Sequence, residues 1–537
     1  MRGGVLLVAA MLATPASASV ELPRVVQLMS LGYIGDGEGD VSPDDEHLYV
    51  TARETDSVLV FDRDPVDGAL TLVQTLTDGS GGLDGLDGAV GVAVSTDGAH
   101  VYVSGQEDDA LAAFARDTLT GMLTPVDLER DGVGGVDGLA TTRAVAVSAD
   151  GLHVYVAGFH DDAVGVFARD PGTGTVTFVE VERQGMNGVQ RLDGPEGVVV
   201  APDGGHVYVA SSGDFTDELG IVTFARDALT GALTYVTSTA EGRRHLAISP
   251  DGLQVYALQP ISKNGRGLVA FARDPGTGVL TTLQEMPAGS GNMPELVNGN
   301  AVVVSAGGDR VYVAQSQMLV QMARDVASGL LTLEYTALHG YAGEGFTLSE
   351  DGLNQYQIGI SARVTRLRPV ACSATPTAPC RSPAQPGVGQ FAITQNGSVK
   401  WKWVRGTATS FPDFGNPFLE TDYVLCVYDA AAEAQPRLSA VAPAGGSCGR
   451  SCWSSIVGYK FRDRRRTLGL GTLRLLDGAD QQAKIIAKAG GPVIDVSSLP
   501  LVPPVTVQLQ HTDGGCWQAT YSAPLVNDGF QFRATAD

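Results

Sequence analysis

The sequence has few positively charged side chains, no long apolar run and a modest share of charged residues. It contains 36 Lys and Arg against 60 Asp and Glu, a formal net charge of −24. A field of this sign repels nucleic acids and anionic membranes, so neither is an expected partner. No stretch has the length of about 18 apolar residues that a membrane-spanning helix needs. With 18% charged and 44% apolar residues, the chain is not a disordered polyelectrolyte either.

Cysteine and tryptophan are absent from the first 370 residues. Lys and Arg number 21 against 48 Asp and Glu up to Val370, and 15 against 12 after it. A chain of 537 residues is long enough for several domains. This change in composition predicts a domain boundary near Val370. The residues found only after it are Cys372, Cys380, Cys426, Cys448, Cys452, Cys516, Trp401, Trp403, Trp453 and Trp517.

The N-terminus, residues 1–18, has the features of a signal peptide. Arg2 gives it a positive start, residues 5–13 are apolar, and Ala16-Ser17-Ala18 is a small-residue cleavage site. Cleavage after Ala18 predicts a secreted, periplasmic or cell-surface protein. Cysteines of exported proteins are usually paired. The six Cys therefore predict three disulfides, whose pairing the sequence leaves open.

Between residues 35 and 365 the chain repeats a unit of about fifty residues. One copy reads VAVSTDGAHVYVSGQEDDALAAFARD and the next reads VAVSADGLHVYVAGFHDDAVGVFARD. The central Tyr of the unit recurs as Tyr49, Tyr102, Tyr155, Tyr208, Tyr256, Tyr312 and Tyr356. The Arg of the Phe-Ala-Arg-Asp block recurs as Arg63, Arg116, Arg169, Arg226, Arg273 and Arg324.

Each unit contains four short apolar or alternating runs separated by turn residues. Four strands in such a period are typical of a β-propeller blade, as in WD40-like repeats, and the seven Tyr predict seven blades over residues 19–370. The last unit lacks a fourth run. Residues 24–29 resemble the fourth run of the first unit. We expect residues 24–33 to supply the missing outer strand of the last blade.

The repeat resembles the seven-bladed lactonase-type propeller family, which includes 6-phosphogluconolactonase. It also resembles the Tyr-Val-Thr-Asn repeat of surface-layer proteins, seen here as Tyr49-Val50-Thr51-Ala52. The resemblance covers about residues 20–370. It implies a site at the mouth of the central channel and, if the chain is an enzyme, lactone hydrolysis. Because the repeated residues are those that build blades, the resemblance alone does not assign an activity.

The repeated polar residues are interpreted as structural. Asp-Gly pairs suit tight hairpin turns and are too short to enclose Ca²⁺. The Gly/Asp-rich loops, such as residues 78–88, are read as surface loops. A repeated His stands on four different blades, too far apart to share one ion through bonds of about 2 Å. We therefore expect no metal and no cofactor. The repeated His are His47, His100, His153 and His206.

Function is expected where the repeat is broken. Five residues before the Ser that ends the first strand of each unit (Ala201 in the fourth), four of the seven side chains are charged. Arginines there could hold a carboxylate or polarise a carbonyl, and glutamates could orient or deprotonate water. A ring of salt bridges between blades is the alternative. The seven residues are Gly37, Val90, Arg143, Glu196, Arg244, Asn300 and Glu344, of which the four charged ones are candidate catalytic residues. Asn300, His160 and His245 are candidate ligand-binding residues.

The C-terminal part begins with a Pro/Ala-rich linker, residues 371–385, which Cys372 and Cys380 could pin locally. Residues 386–537 contain alternating strands and no strong helix pattern. They predict a disulfide-stapled, β-sandwich-like domain with disulfides packed on indole rings. The fold expected for the whole chain is therefore all-β, a seven-bladed propeller followed by this second domain.

Two functions remain open. The first is an exported binding or cell-surface interaction protein that uses the propeller mouth, and perhaps exposed Trp, to bind a glycan, a protein or another small molecule. The second is a lactonase-like hydrolase that opens a small lactone at the same mouth. Neither needs a second copy of the chain, and a monomer is expected.

Overall fold

The computed structural model describes residues 20–30, 35, 37–65, 67–213, 220–240, 243–258, 267–287, 299–315, 318–338, 345–349, 354–358, 361–370, 372–373, 375–418, 421–431, 436–444, 452–455, 458–463, 469–491 and 499–537. The predicted signal peptide lies outside these residues. The chain divides into two compact units, of which one is Pro23–Leu367 and the other contains Arg368–Asp537. The expectation of an all-β chain, a propeller followed by a disulfide-containing β-domain, is confirmed.

The first unit is built from short antiparallel strands. They are β1 (Val20–Ser30), β2 (Gly39–Val41), β3 (His47–Ala52), β4 (Ser57–Arg63), β5 (Leu70–Thr77), β6 (Ala89–Val94), β7 (His100–Gly105), β8 (Ala110–Arg116), β9 (Leu123–Arg130), β10 (Thr142–Val147), β11 (His153–Gly158), β12 (Ala163–Arg169), β13 (Val176–Arg183), β14 (Pro195–Val200), β15 (His206–Ser211), β16 (Gly220–Arg226), β17 (Leu233–Thr239), β18 (Arg243–Ile248), β19 (Gln254–Leu258), β20 (Gly267–Arg273), β21 (Leu280–Pro287), β22 (Gly299–Val304), β23 (Arg310–Gln315), β24 (Met318–Arg324), β25 (Leu331–Leu338), β26 (Gly345–Leu348), β27 (Asn354–Ile358) and β28 (Ser361–Val370). Two single-turn 3₁₀ helices, Arg53–Thr55 and Ser80–Gly82, lie in loops.

These strands form seven four-stranded sheets, the blades of the propeller. Blades 1 to 6 are β2–β5, β6–β9, β10–β13, β14–β17, β18–β21 and β22–β25, each a meander of consecutive strands. Blade 7 has the order β1-β28-β27-β26, so the N-terminal strand lies at its outer edge. Gln27 of β1 reaches blade 1, where its side chain bonds the backbone N–H and carbonyl of Leu70 at 2.6 and 2.9 Å.

Burial explains why the middle strands are so apolar. Every residue of β7 and of β11 is buried, because both faces of these strands pack against neighbouring blades. The outer strand β9 is buried at Leu123 and partly or fully exposed from Thr124 onward. The turns joining the first two strands of a blade need a left-handed residue, which Gly98 supplies at a φ of 68°.

A buried Arg joins each of blades 1 to 6 to the blade before it in the ring, as blades 2 and 3 illustrate. The Nε of Arg169 donates to the hydroxyl of Tyr102 at 2.8 Å, and its Nη2 lies 2.8 Å from the carboxylate of Asp97. Nη2 is also 2.6 Å from Nδ1 of His100. The Tyr102 hydroxyl in turn donates to the carbonyl of Gly174. Because the Arg169 side chain is fully buried, the two blades share one desolvated hydrogen-bond network.

This network, which we call the blade clasp, is repeated around the ring. The other clasps join Arg116 to Tyr49, Asp44 and His47; Arg226 to Tyr155, Asp150 and His153; Arg273 to Tyr208, Asp203 and His206; and Arg324 to Tyr256, Asp251 and Gln254. Arg63 of blade 1 donates to Tyr356 of blade 7 at 2.5 Å, which closes the ring. The repeated His, Tyr and Arg are therefore parts of blade interfaces.

The clasps make stability depend on pH. Burial and the charge of Arg226 lower the pKa of His153 below its usual 6.5. The unfolded chain therefore binds more protons, and the free energy of unfolding should fall as pH drops below about 6.5. Replacing His153 by Gln, the residue found in the blade 5 clasp, should flatten this slope when the midpoint of thermal unfolding is compared between pH 7.5 and 5. An unchanged slope would contradict a neutral His in the clasp.

The C-terminal unit is a two-sheet sandwich. Its strands are β29 (Gln390–Thr394), β30 (Val399–Gly406), β31 (Tyr423–Tyr428), β32 (Leu438–Ala442), β33 (Trp453–Ser454), β34 (Tyr459–Arg462), β35 (Leu470–Leu476), β36 (Ala483–Ala489), β37 (Val505–His511), β38 (Cys516–Tyr521), β39 (Val526–Asn527) and β40 (Gln531–Thr535), and a 3₁₀ helix covers Pro412–Phe414. One sheet has the order β33-β34-β35-β36-β30-β29-β40-β39 and the other β32-β31-β37-β38. Alternate residues of β30 and β37 fill the core between them.

All four Trp are buried in this core, so the expectation of exposed Trp for binding is wrong. Their indole N–H groups are satisfied internally; for example, that of Trp401 donates to the Tyr521 hydroxyl at 3.0 Å. An apolar ring surface is more stable inside a core than in water once its one polar atom has a partner. Trp517 stacks on Phe414 with the ring centroids 4.9 Å apart.

The disulfides join distant parts of the second unit. Cys372 bonds Cys426 in β31, and Cys380 bonds Cys516 in β38. Cys372 and Cys380 therefore attach the predicted linker to the sandwich sheet and do not close a local loop. Cys452 is disulfide-bonded as well, and Cys448 lies outside the described residues.

Within the described part of the chain, none of the helices is long and apolar enough to cross a membrane.

Candidate functional site

The innermost strands of six blades line a small cavity at the axis of the propeller. Its volume is about 180 Å³. Six of the lining residues share one place in the repeat, four residues before the Ser or Ala that ends the first strand, and belong to blades 1 and 3 to 7. The lining residues are Glu38, Gly39, Ala144, Val145, Glu196, Gly197, Val198, Val199, His245, Leu246, Ala301, Val302, Val303, Gly345 and Phe346.

Two residues at this shared place are polar and large. The seven units carry Glu38, Gly91, Ala144, Gly197, His245, Ala301 and Gly345 there. Small residues are expected where seven strands converge on one axis, because larger side chains would collide. Glu38 and His245 depart from that pattern, and both line the cavity.

Glu38 is held by the backbone just before β2. Its N–H donates to Oγ1 of Thr51 at 2.9 Å, and the Thr51 N–H donates to its carbonyl at 3.0 Å. Burial and the neighbouring Asp40 carboxylate raise the pKa of Glu38 to about 7, against the opposing charge of Arg143. A carboxyl group that ionises near neutral pH can both accept and return a proton under physiological conditions.

Two further charged residues lie at this end of the propeller, Glu196 and Arg143. Glu196 lines the cavity and accepts a hydrogen bond from the Ser212 hydroxyl at 2.9 Å. Arg143 is in β10, with its guanidinium carbon 5.1 Å from the centroid of the Phe159 ring. Its charge acts on Glu38. The cavity end of the propeller therefore combines an acid–base group, a second carboxylate and a nearby cation.

The other sequence-predicted site residues are placed differently. His160 is exposed on the loop between β11 and β12, with Nδ1 2.7 Å from the Thr141 hydroxyl and its ring 5.3 Å from that of Phe159. Arg244 and Asn300 lie in β18 and β22, and their side chains are outside the described residues. Glu344 is outside the described residues altogether.

The position chosen from the sequence contributes one described residue to this cavity. Among the described residues found five places before the strand-ending Ser or Ala, only Glu196 lines the cavity. The lining comes mainly from the next two positions along the chain. Glu38 was not among the candidates, because Gly37 was taken as the blade 1 member. Glu38 could have been recognised from the sequence as a Glu at a repeat position where most other units have Gly or Ala.

The described residues that could share a metal ion lie outside this cavity. Three groups of donors are close enough together to bind one ion. Their members are Asp44, Glu46 and His47; Asp78, Asp84 and Asp108; and Asp131, Asp137 and Asp161. Several of these carboxylates already pair with arginines, as Asp44 does with Arg116 at 2.7 Å.

Comparison with known proteins supports the propeller. Residues 34–190 and 186–294 match the family described as Lactonase, 7-bladed beta-propeller. No curated protein matches the chain significantly.

Solved structures with a similar fold include proteins with different names. A putative 6-phosphogluconolactonase from Bacteroides uniformis is 19% identical, with a TM-score of 0.46, covering 57% of this chain and 85% of that one. The periplasmic gluconolactonase of Pseudomonas aeruginosa is 20% identical, with a TM-score of 0.45 and coverages of 57% and 86%. The hydrazine synthase of Kuenenia stuttgartiensis is 17% identical, with a TM-score of 0.47 and coverages of 67% and 99%.

The family match covers the first five blades, and the repeat, the strand order and the clasps continue the same architecture to the seventh. The N-terminal unit of this chain is therefore a seven-bladed β-propeller of the lactonase type.

Proposed function

We propose that the axial cavity of the propeller binds a small lactone and hydrolyses it, with Glu38 as the general base. The observation that carries the proposal is a carboxyl group with a pKa of about 7 in a cavity that it shares with Glu196 and His245. The carboxylates of the blade clasps behave differently. In the clasps, hydrogen bonds and Arg charges lower the pKa of Asp97 in spite of its partial burial.

The reaction balances without a cofactor. Ionised Glu38 takes a proton from a water molecule, whose oxygen forms a bond to the lactone carbonyl carbon. The charge that develops on the carbonyl oxygen is stabilised by the Arg143 cation. The ring C–O bond then breaks, and its alkoxide takes the proton back from Glu38, which leaves a hydroxy acid. Glu196, fixed by Ser212, orients the water or the substrate hydroxyls.

The other residues suggested by the sequence complete the mouth in this proposal. Arg244 assists Arg143 in holding a carboxylate or carbonyl, and Glu344 assists Glu196. Asn300, His160 and His245 contact the ligand. The cavity of about 180 Å³ admits one small ring, since sites for larger ligands typically measure about 300–1,000 Å³.

Export belongs to the same proposal. The disulfides of the C-terminal unit are stable in an oxidising compartment, which is where secreted, periplasmic and cell-surface proteins fold. Outside the cell, the substrate would be a free lactone available there, and a phosphorylated sugar lactone of the cytosol is an unsuitable candidate.

The test is a panel of small lactones offered to the purified full chain at pH 8, with acid release followed at constant pH. We expect turnover of at least one lactone, and its loss on replacing His245 by Trp, whose larger ring system would occupy much of the cavity. Thr177→Trp, on the exposed outer strand of blade 3, is the control and should leave turnover unchanged. Absence of turnover with every lactone of the panel would overturn the proposal that the chain is a hydrolase.

Binding without turnover is the second candidate. The observation that favours it is the small cavity volume, which suits gripping one end of a glycan or a side chain more than enclosing a whole substrate. Saturable binding of panel compounds without acid release would support this candidate over hydrolysis.

A further inference from the structure

A second, larger recess lies on the flank of the propeller between blades 1 and 2. This flank groove has a volume of about 500 Å³ and is bounded by β5 on one side and by β8 and β9 on the other. Its surface is formed largely by apolar side chains, and the 3₁₀ turn Ser80–Gly82 borders it. Three of these side chains, Leu76, Leu83 and Leu128, are only partly buried. They offer apolar surface that a ligand can cover.

At the groove, blade 2 lacks an aromatic ring that blades 3 and 4 have. In each of these blades the third strand has a buried Phe whose cross-strand partner lies on the outer strand. In blade 3 the partner is Phe178, 5.6 Å from Phe167 between ring centroids. In blade 4 it is Tyr235. In blade 2 the partner is Pro125, so the space that a ring fills elsewhere stays open.

One end of the flank groove is strongly acidic. Asp84 lines the groove, and its carboxylate lies within 4.8 Å of those of Asp78 and Asp108. Arg130 pairs with two of the three, at 2.5 Å from Asp84 and 3.1 Å from Asp108. Three carboxylates against one guanidinium leave a negative field, and no Lys or Arg is among the residues that line the groove. Charge complementarity therefore favours a cationic ligand.

The neighbouring blade interface supplies an internal control. Asp131, Asp137 and Asp161 form the same acidic cluster between blades 2 and 3, and Arg183 pairs with Asp137 at 2.7 Å. There the Phe178 ring packs over the apolar core between the blades. The acidic cluster thus occurs twice among the residues that the structure describes, and the flank groove accompanies the first copy.

We propose that the flank groove binds a small organic cation with a flat apolar body, such as an arylalkylamine. The ring would occupy the space left by Pro125, and the ammonium group would face Asp84. Recognition needs both parts, because an exposed charge pair alone contributes little to affinity. This site is separate from the axial cavity and does not depend on the function proposed for it.

Isothermal titration calorimetry of the full chain with tryptamine at low salt tests the proposal. We expect one site per chain. Pro125→Phe should weaken binding by at least about tenfold, because the new ring fills the groove as in blade 3. Thr282→Phe makes the same change opposite Phe271 in blade 5 and should leave binding unchanged. Asp84→Asn should weaken it about two- to fivefold.

Thr75→Trp is a second way to fill the groove, from its exposed blade 1 side, and should also abolish binding if Pro125→Phe fails to fold. Indole-3-propionate, an anion of similar shape, should bind at least about tenfold more weakly than tryptamine. Two equal sites per chain would show that an acidic cluster alone is enough to bind tryptamine, without the groove. That result, unchanged affinity in Pro125→Phe, or no binding of tryptamine would overturn the proposal.

Discussion

Replacing Glu38 by Gln is expected to lower kcat/KM for lactone hydrolysis by about 10²- to 10⁴-fold, the range that a general acid–base group contributes. The amide keeps the size of the side chain but cannot take a proton from water. Steady-state rates at pH 8 on the best lactone of the panel measure the loss. Glu182→Gln is a matched control, because burial also raises the pKa of that carboxyl, and it stands on the outer strand of blade 3.

The same substitution should make the propeller more stable at pH 8. The pKa of Glu38 is about 7 in the folded chain and 4.5 ordinarily, so the folded state binds more protons between these values. Stability is therefore lost as pH rises from 4.5 through 7, by up to about 3 kcal/mol. Gln has no ionised form and should recover this loss. If Glu38 belonged to a stabilising ring of salt bridges, Glu38→Gln would instead destabilise the propeller.

Breaking one blade clasp should destabilise the propeller strongly. In Arg169→Met, the carboxylate of Asp97, the hydroxyl of Tyr102 and the ring of His100 lose their shared partner. Removing one member of a buried charged network typically costs about 3–5 kcal/mol. Denaturant unfolding followed by near-ultraviolet circular dichroism of the Tyr side chains measures this loss in the propeller.

The chain provides its own controls for that experiment. Arg183→Met removes an exposed ion pair of the same blade and should cost less than about 1 kcal/mol. All four Trp are in the C-terminal unit, so Trp fluorescence follows that unit alone and should report an unchanged midpoint. Equal losses in Arg169→Met and Arg183→Met would contradict a structural role for the clasp.

The propeller could be predicted because its sequence repeats the residues of the clasp. Tyr102 and Arg169 must recur in register for each blade to join the next, and this constraint is visible as a period. It is harder to predict which way a single side chain faces. The repeat fixes the spacing between equivalent positions, but it does not show which of two adjacent residues faces the channel. Glu38 was missed for that reason.

In the C-terminal unit, too, some features could be predicted from the sequence and others could not. Long alternating strands such as β30, with Trp401 and Trp403 on one face, have a recognisable sequence pattern. The two-residue strands β33 and β39 have no such pattern, because alternation cannot be read over two residues. The disulfide pairings depend on which strands become neighbours in space, and no local pattern around Cys380 indicates that Cys516 will lie beside it.

The pH dependence of kcat/KM tests the central claim most directly, because the proposed base is tuned by two neighbours with opposite effects. Activity should rise with pH through an inflection near 7, as Glu38 loses its proton. Asp40→Asn should move the inflection to lower pH, and Arg143→Met should move it to higher pH. An inflection that is absent, or that stays in place in both variants, would contradict Glu38 as the base of the axial cavity.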